Sequence, residues 1–465
     1  MAACSCTTPI LLIPALVLLL VLYFSPNLHQ NHFMNLLSLP TSSTLSRTNH
    51  KHLKWRLSTS IFRSREEARA IVIKKKIGLE RVEDDLARAR AAIQRAIRTG
   101  KYISDKKERF IPRGSIYRNS YAFHQSHIEM VKRFKVWVYK EGDQPMVHAG
   151  PLKDIYAIEG QFIAEMEDSS EMNPFIASNP DEAHAFFIPV SVANIVEYIY
   201  APITTYSRDR LQNFVKEYIG IVADKYPYWN RSNGADHFMV SCHDWAPDIS
   251  SANPSFYKNF IRVLCNANTS ESFQPGRDVS MPEVYGPADR LAAPNYCQPA
   301  HDRPILAFFA GGAHGNIRKT LLHHWKGKDN KVIVHDYLPN GQNYTKLMGQ
   351  SKYCLCPSGF EVASARVVEA IFAGCVPVII SDNYVLPLGD VFDWTQFSVS
   401  IPMDRISEIK TILEAIPNWR YLRMQKRVRR LQRHFTVNRP AKPFDVIHMV
   451  LHSVWLRRLN FRLST

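Results

Sequence analysis

Two opposite charges, Arg366 and Glu369, sit in an otherwise small and apolar stretch, residues 354–383, CLCPSGFEVASARVVEAIFAGCVPVIISDN. An arginine near a helix start can donate two parallel hydrogen bonds to a diphosphate. A carboxylate one turn later can accept from both hydroxyls of a ribose. Residues three apart share a helix face. Val367, Val368, Ile371 and Phe372 then form the stripe that faces a core. On residue types alone the pair is either a nucleotide grip or a surface ion pair of about 0.2–0.5 kcal/mol.

Such a grip needs a strand before it and a helix beneath it. The run YCLCP reads as a buried strand, SGFE (with Ser358 and Gly359) as the loop at its carboxyl end, and ASARVVEAIFAG as a helix closed by Gly374. Ligands of open α/β sheets bind at the carboxyl ends of strands, where helix N-termini offer free N–H groups to phosphate. A second loop of this kind is GGAHG, residues 311–315, followed by Arg318 and Lys319. Arg318 is the better candidate to meet a diphosphate from across the cleft; the alternative is a glycine turn beside a solvated basic pair. Asp382, after VPVII, either contacts a bound ligand or caps a turn.

Were a nucleotide-bound group to be passed to a hydroxyl, a general base would be needed within about 2.6–3.2 Å of the proton it takes. The candidates are Glu159 in YAIEGQF and the His243–Asp244 pair in SCHDW, where Trp245 could stack on a sugar ring. Asp244 or His243 is preferred to Glu159, because the pair follows a strand end; a purely structural hydrogen-bonding role is the alternative for each. The chain has no D-x-D to chelate a metal with a diphosphate, no G-x-G-x-x-G after a strand, and no G-x-x-x-x-G-K-[ST].

The pattern along the chain supplies two frames. Short apolar runs at 134–140, 185–190 and 237–241 alternate with helical stretches at 156–167 and 205–224. After a Pro/Ala/Gly-rich loop at 285–304, the alternation restarts with ILAFFAGG, KVIVHD, YCLCP, VPVIIS and FSVSIP. This predicts two doubly wound α/β domains, 130–295 and 296–440, facing across a cleft, with a C-terminal helix at 441–465.

With 465 residues, 46% apolar and 22% charged, the chain is folded and too long for one ordinary core. The net charge of +16 favours acidic partners, including a polyanionic polysaccharide or an anionic membrane. The basic residues concentrate in two runs, 71–81 and 419–435, read as solvated helix faces; no dense nucleic-acid patch appears. Ile10–Phe24 is an uncharged apolar run without a small-x-small cleavage site after it, so residues 1–25 are expected to be a cytosolic tail and uncleaved signal anchor. Residues 26–129 are expected to be a stem, flexible over 33–57 and helical over 64–99, with self-association or assembly with other transferases left open. No Lys or Arg precedes the anchor, so a lumenal body is inferred from the sequons at Asn230, Asn268 and Asn343. Six of the eight cysteines follow the anchor and allow 15 pairings. Cys354 and Cys356 read as small residues of a buried strand, and Cys4 and Cys6, on the tail, as free or acylated.

The segment CPSGFEVASARVVEAIFAGCVPVIISDNYVLPL resembles the signature of exostosin-like glycosyltransferases of family 47, in the plant cell-wall branch. The resemblance continues in YAIEGQF, DEAHAFFIPV, HFMVSCHDWAP and ILAFFAGGAHGNIRKTLL, and covers roughly residues 130–403. It implies two Rossmann-like domains of GT-B type and metal-independent, inverting transfer from a UDP-sugar to a pectic or hemicellulosic chain. It also implies a Golgi type II membrane protein with no cofactor. The donor site would comprise Arg318, Ser358, Gly359, Arg366, Glu369 and Asp382. The alternative is a non-catalytic carbohydrate-binding or scaffold member, which would be expected to have lost Arg366 or Glu369; a hydrolase would want G-x-S-x-G or a spaced carboxylate pair.

Overall fold

Two parallel five-stranded sheets lie behind the cleft in a computed structural model that describes residues 76, 78–168, 173–286 and 298–463. The anchor run, the stem up to residue 75, and Cys4, Cys6 and Cys297 lie outside the described residues. No helix among the described residues is long and apolar enough to cross a membrane.

The first sheet holds β1 (Val136–Val138), β2 (Ala185–Phe187), β3 (His237–Ser241), β4 (Ile261–Leu264) and β5 (Val279–Ser280), side by side in chain order. Residues of β2, β3 and β4 are buried throughout, as expected for parallel strands covered on both faces. The second sheet holds β6 (Ile305–Ala310), β7 (Val332–His335), β8 (Ser351–Pro357), β9 (Val376–Ile380) and β10 (Val399–Ser400), in the order β10-β9-β8-β6-β7. Only this second sheet is doubly wound. Its order reverses between β6 and β8, and such a reversal opens a crevice at the carboxyl ends of the two strands. The first sheet, with no reversal, corrects the expectation of two doubly wound domains.

The helix over residues 78–99 (α1) is not a free stem element. Val82, Leu86, Ala89 and Ala96 are buried, and the first three join the main hydrophobic cluster. The following helix, α2 (Ser120–Arg133), continues this packing, and Arg133 reaches back to Asp85 at 2.8 Å. The C-terminal helix α3 (Val446–Leu459) is buried on nearly every side, with Trp455 at 0% exposure. It contacts α2, β4 and β5, so the chain ends against the first sheet after building the second. Arg458 donates to the His184 carbonyl and pairs with Glu83, and Arg457 donates to the Asp278 carbonyl. α3 also contacts the helix Asn418–Phe435, which packs on β9, so it is a strap across both halves.

Two disulfides tie neighbouring strands, one at the carboxyl ends of β3 and β4 and one toward the amino ends of β8 and β9. Cys242–Cys265 joins the chain just past β3 and β4, and Cys354–Cys375 joins β8 to the start of β9. Cys354 is therefore a cross-link, contrary to its reading as a small strand residue, whereas Cys356 is buried and free. Closing sequence separations of 23 and 21 residues stabilises by about 3 kcal/mol each in the chain-entropy account.

Candidate active site

The two loops at the reversal of the second sheet deliver two arginines to one place. The loop after β6 leads into α4 (Gly315–Trp325), which carries Arg318; the loop after β8 leads into α5 (Arg366–Phe372), which begins with Arg366. Glycines permit the close approach. A Cβ on Gly311 would lie 2.3 Å from Nη2 of Arg366, and one on Gly315, whose φ is +76°, would lie 2.1 Å from the Gly359 carbonyl oxygen. A Cβ on Gly359 would in turn lie 3.1 Å from the Arg318 guanidinium. Gly374, at φ +60°, ends the α5 segment as expected for a C-terminal cap.

Neither arginine is neutralised. Arg366 donates to the Ala310 carbonyl (3.1 Å) and the Ser364 hydroxyl (3.4 Å), and its Nε is buried without a partner. Arg318 donates to the Pro357 carbonyl. Burial and the neighbouring Arg366 lower its pKa to about 10. Among the described residues neither forms an ion pair. Glu369 does not take up Arg366; it accepts from the Tyr344 hydroxyl at 2.9 Å, and burial raises its pKa. The surface-ion-pair reading of Arg366 and Glu369 therefore fails.

Arg318, Arg366 and Glu369 line a cleft of about 560 Å³, together with Gly359, Tyr344, His314 and, from the first half, Asp244 and Glu283. Ile155, Tyr285 and Phe360 give it an exposed apolar rim. Beside the arginines lies a carboxyl cluster. Asp244 accepts from the Tyr156 hydroxyl at 2.6 Å and lies against the Glu361 carboxyl. Burial, with Glu283 and Asp244 nearby, holds Glu361 well above the usual carboxylate range. Glu283 accepts from the Ala365 amide, and burial, followed by the charge of Asp244, pushes it up to about 8. Oε2 of both Glu283 and Glu361 is buried with no partner. No group of His, Cys, Asp or Glu among the described residues converges to hold a metal ion.

The other predicted residues fall elsewhere. Glu159 is fully buried behind the cleft and accepts from Ser191 Oγ, Ala193 N, Ser241 Oγ and Cys242 N. It ties the loop after β2 to the end of β3, and all its acceptor capacity is used, so it is no general base. His243 Nδ1 accepts from the Trp245 amide, which leaves the proton on Nε2, and burial lowers its pKa to about 4. That neutral imidazole has no free lone pair, so Asp244 remains of the preferred pair. Trp245 is covered on one face by Arg208, 3.6 Å from the ring centroid. Ser358 braces its loop by donating to the Val362 carbonyl and pairing with Ser381. Asp382 is exposed, in a turn whose next residue, Asn383, has φ +60°; it does not line the cleft. Lys319 is exposed, outside the lining. Asn230 and Asn343 are exposed, but Asn268 is buried and accepts from Ser270, which corrects its reading as a glycan acceptor.

Four site residues had no strong sequence signal of their own. Glu283 and Glu361 lie in loops without periodicity, and Tyr156 and Tyr344 act only through the carboxylates they touch. Tyr156 is nonetheless in YAIEGQF, one turn before the acid that drew attention.

Comparison with known proteins agrees with this geometry. The Exostosin GT47 domain matches residues 130–416, which span both sheets. A probable glycosyltransferase of Arabidopsis thaliana, At5g03795, is 50% identical over 387 residues, covering 83% of this chain and 73% of its own length. The probable beta-1,4-xylosyltransferase IRX10 of the same plant is 27% identical, over 70% of this chain and 82% of its own. The probable glucuronosyltransferase GUT1 of Oryza sativa subsp. japonica is 29% identical, over 60% and 70%. With its two parallel sheets, its cleft and this match, the chain belongs to the exostosin-type glycosyltransferases of family 47.

Proposed function

We propose that this glycosyltransferase moves a sugar from a UDP-sugar to a hydroxyl of a cell-wall polysaccharide, with inversion and without a metal ion. The observation that carries the reading is the meeting of Arg318 and Arg366, unneutralised, at the reversal of a doubly wound sheet. Two guanidiniums side by side, one buried and one half-buried, are unfavourable unless an anion joins them, and a diphosphate fits that requirement with bidentate contacts. Glu369, held by Tyr344, suits the ribose hydroxyls.

The chemistry follows from the carboxyl cluster. The acceptor hydroxyl attacks the anomeric carbon, the bond from that carbon to the β-phosphate oxygen breaks, and UDP leaves with the charge that the two arginines stabilise. The proton of the attacking hydroxyl passes to the Asp244–Glu361 pair. Attack from the face opposite the diphosphate inverts the anomeric configuration. The body then resides in the Golgi lumen behind an N-terminal anchor, and Asn230 and Asn343 carry glycans.

Release of UDP from a panel of UDP-sugars tests this reading. Turnover is expected to survive EDTA and to fall at least ~100-fold in Asp244→Asn with UDP binding retained, the usual range for loss of a general base. Complete loss in EDTA with rescue by Mn²⁺, or an Asp244→Asn variant as active as the native chain, would contradict it.

A further inference from the structure

The helix Asn418–Phe435 carries Arg and Lys along its whole length and no acidic residue. Trp419, Arg423, Lys426, Arg430 and Arg433 recur at intervals of four and three residues and are all exposed, so they line one face from end to end. At about 1.5 Å per residue that face is roughly 21 Å long. Like charges three and four residues apart on a helix repel one another. Among the described residues, none of the four cations of this face forms an ion pair. Elsewhere on the surface such charges are matched, Lys132 with Asp105, Lys225 with Glu141 and Lys331 with Glu414. Arg423 lies over Trp419 and Arg433 over Phe110, at 5.1 and 3.7 Å, contacts that orient the guanidiniums without neutralising them.

The other side of the helix is fully used. Tyr421, Met424, Val428 and Leu431 are buried in the main cluster. Gln425 and Gln432 donate to the carbonyls of Gly374, Ile371 and Phe372, at the C-terminal end of α5. The cleft lies at the other end of α5, where Arg366 begins it, and no residue of the basic face lines it. The face is a second surface, fixed to the nucleotide-gripping half but outside its site.

From this surface we infer that the acceptor is an acidic polysaccharide, with carboxylates on successive sugars, and that the helix holds it outside the cleft; this rests on the polysaccharide-transfer reading above. Guanidiniums match carboxylates with paired hydrogen bonds, and a straight face suits a linear chain. Trp419, 61% exposed at one end, offers a ring plane to a sugar. An anionic membrane fits less well, because helices that lie on bilayers bury an apolar side there, and here that side is in the core. A second point of attachment raises the effective concentration of the polymer at the cleft, so long acceptors gain more than short ones.

The test is titration of the full-length chain with polygalacturonate, with a neutral xylan of similar length, with phosphatidylserine vesicles and with UDP. Polygalacturonate is expected to bind at least about tenfold more tightly than xylan, and less tightly as salt screens the charges. The triple variant Arg423→Gln/Lys426→Gln/Arg430→Gln is expected to lose about tenfold in polygalacturonate affinity, with UDP affinity within about twofold of the native chain. Trp419→Ala, which leaves every charge in place, is expected to weaken the same binding severalfold and answers the question should the triple variant not fold. Equal affinity for xylan, or polygalacturonate binding that neither variant moves, overturns the inference and, with UDP still bound, leaves the nucleotide-sugar reading standing. Vesicle binding that the triple variant abolishes, without binding of polygalacturonate, assigns the face to a membrane and overturns it as well. A native chain that binds no UDP removes the transfer reading beneath, and the acceptor role with it.

Discussion

At the scale of single residues, Gly311 and Arg366 make a contact that tolerates no extra atom. A methyl group on Gly311 would sit 2.3 Å from Nη2, so the guanidinium would have to leave the Ala310 carbonyl. Because the displaced atoms are the end of a flexible side chain, the cost should fall on binding more than on stability. Gly311→Ala is expected to weaken UDP affinity roughly tenfold, on the order of one charge-assisted contact of about 1.5 kcal/mol, with the melting temperature of the free chain nearly unchanged. Calorimetry and a thermal scan on one preparation check this, and unchanged affinity would contradict it. The arginines were legible in the sequence because charge inside an apolar helical run stands out. Glu283 and Glu361 were not, since acidic residues in loops are ordinarily solvated, and only the closure of one half on the other buries these two. Glu159 misled for the opposite reason. Its helix, Ala157–Glu167, buries the face that carries it, and its four bonds come from loops distant in sequence.

At the scale of elements, a belt of buried histidines joins α2 to the C-terminal part of the fold. His127 stacks on Phe444 at 3.8 Å and approaches His448 at 3.3 Å; His452 meets Ser126 Oγ, and His434 meets the Tyr117 hydroxyl. Burial lowers all four, to about 3 for His434 and His452, to about 4 for His448 and well below the ordinary value for His127. The unfolded chain takes up these protons near pH 6.5 and the folded chain does not, so their contribution is complete above that pH and is lost as pH falls from about 6.5 toward 4. Asp445, raised by burial to about 6, acts in the opposite direction and offsets part of this. The melting temperature is expected to drop several degrees between pH 7 and pH 5, measured by fluorescence; a flat or rising profile would contradict the assignment. Strands with unbroken apolar runs, such as β3 and β8, were legible from the sequence. β4 was not, because Arg262 interrupts its run and is tolerated through its buried partner Asp278 and its bonds to Ser250 and Ser272. β5 is two residues long and carries no period.

At the scale of the whole molecule, both ends of the described chain hold the halves together. α1 enters the core ahead of the first sheet, and α3 returns to it after the second, so the cleft walls share one continuous hydrophobic cluster. The division into alternating segments on either side of a proline-rich loop was visible in the sequence. The return of α3 was not, because a helix buried all round gives no stripe to show its partner. The lumenal placement proposed above predicts glycans on Asn230 and Asn343 and none on Asn268, read as two endoglycosidase-sensitive steps that disappear one each in Asn230→Gln and Asn343→Gln. An unglycosylated protein would contradict that placement. The central claim is that the cleft between the halves grips a nucleotide diphosphate with Arg318 and Arg366. Titration of UDP into the native chain and into Arg318→Ala and Arg366→Ala measures it directly. Each substitution is expected to weaken binding by roughly ten- to a hundredfold, equivalent to about 1.5–3 kcal/mol. UDP affinity unaltered in both variants would contradict the account.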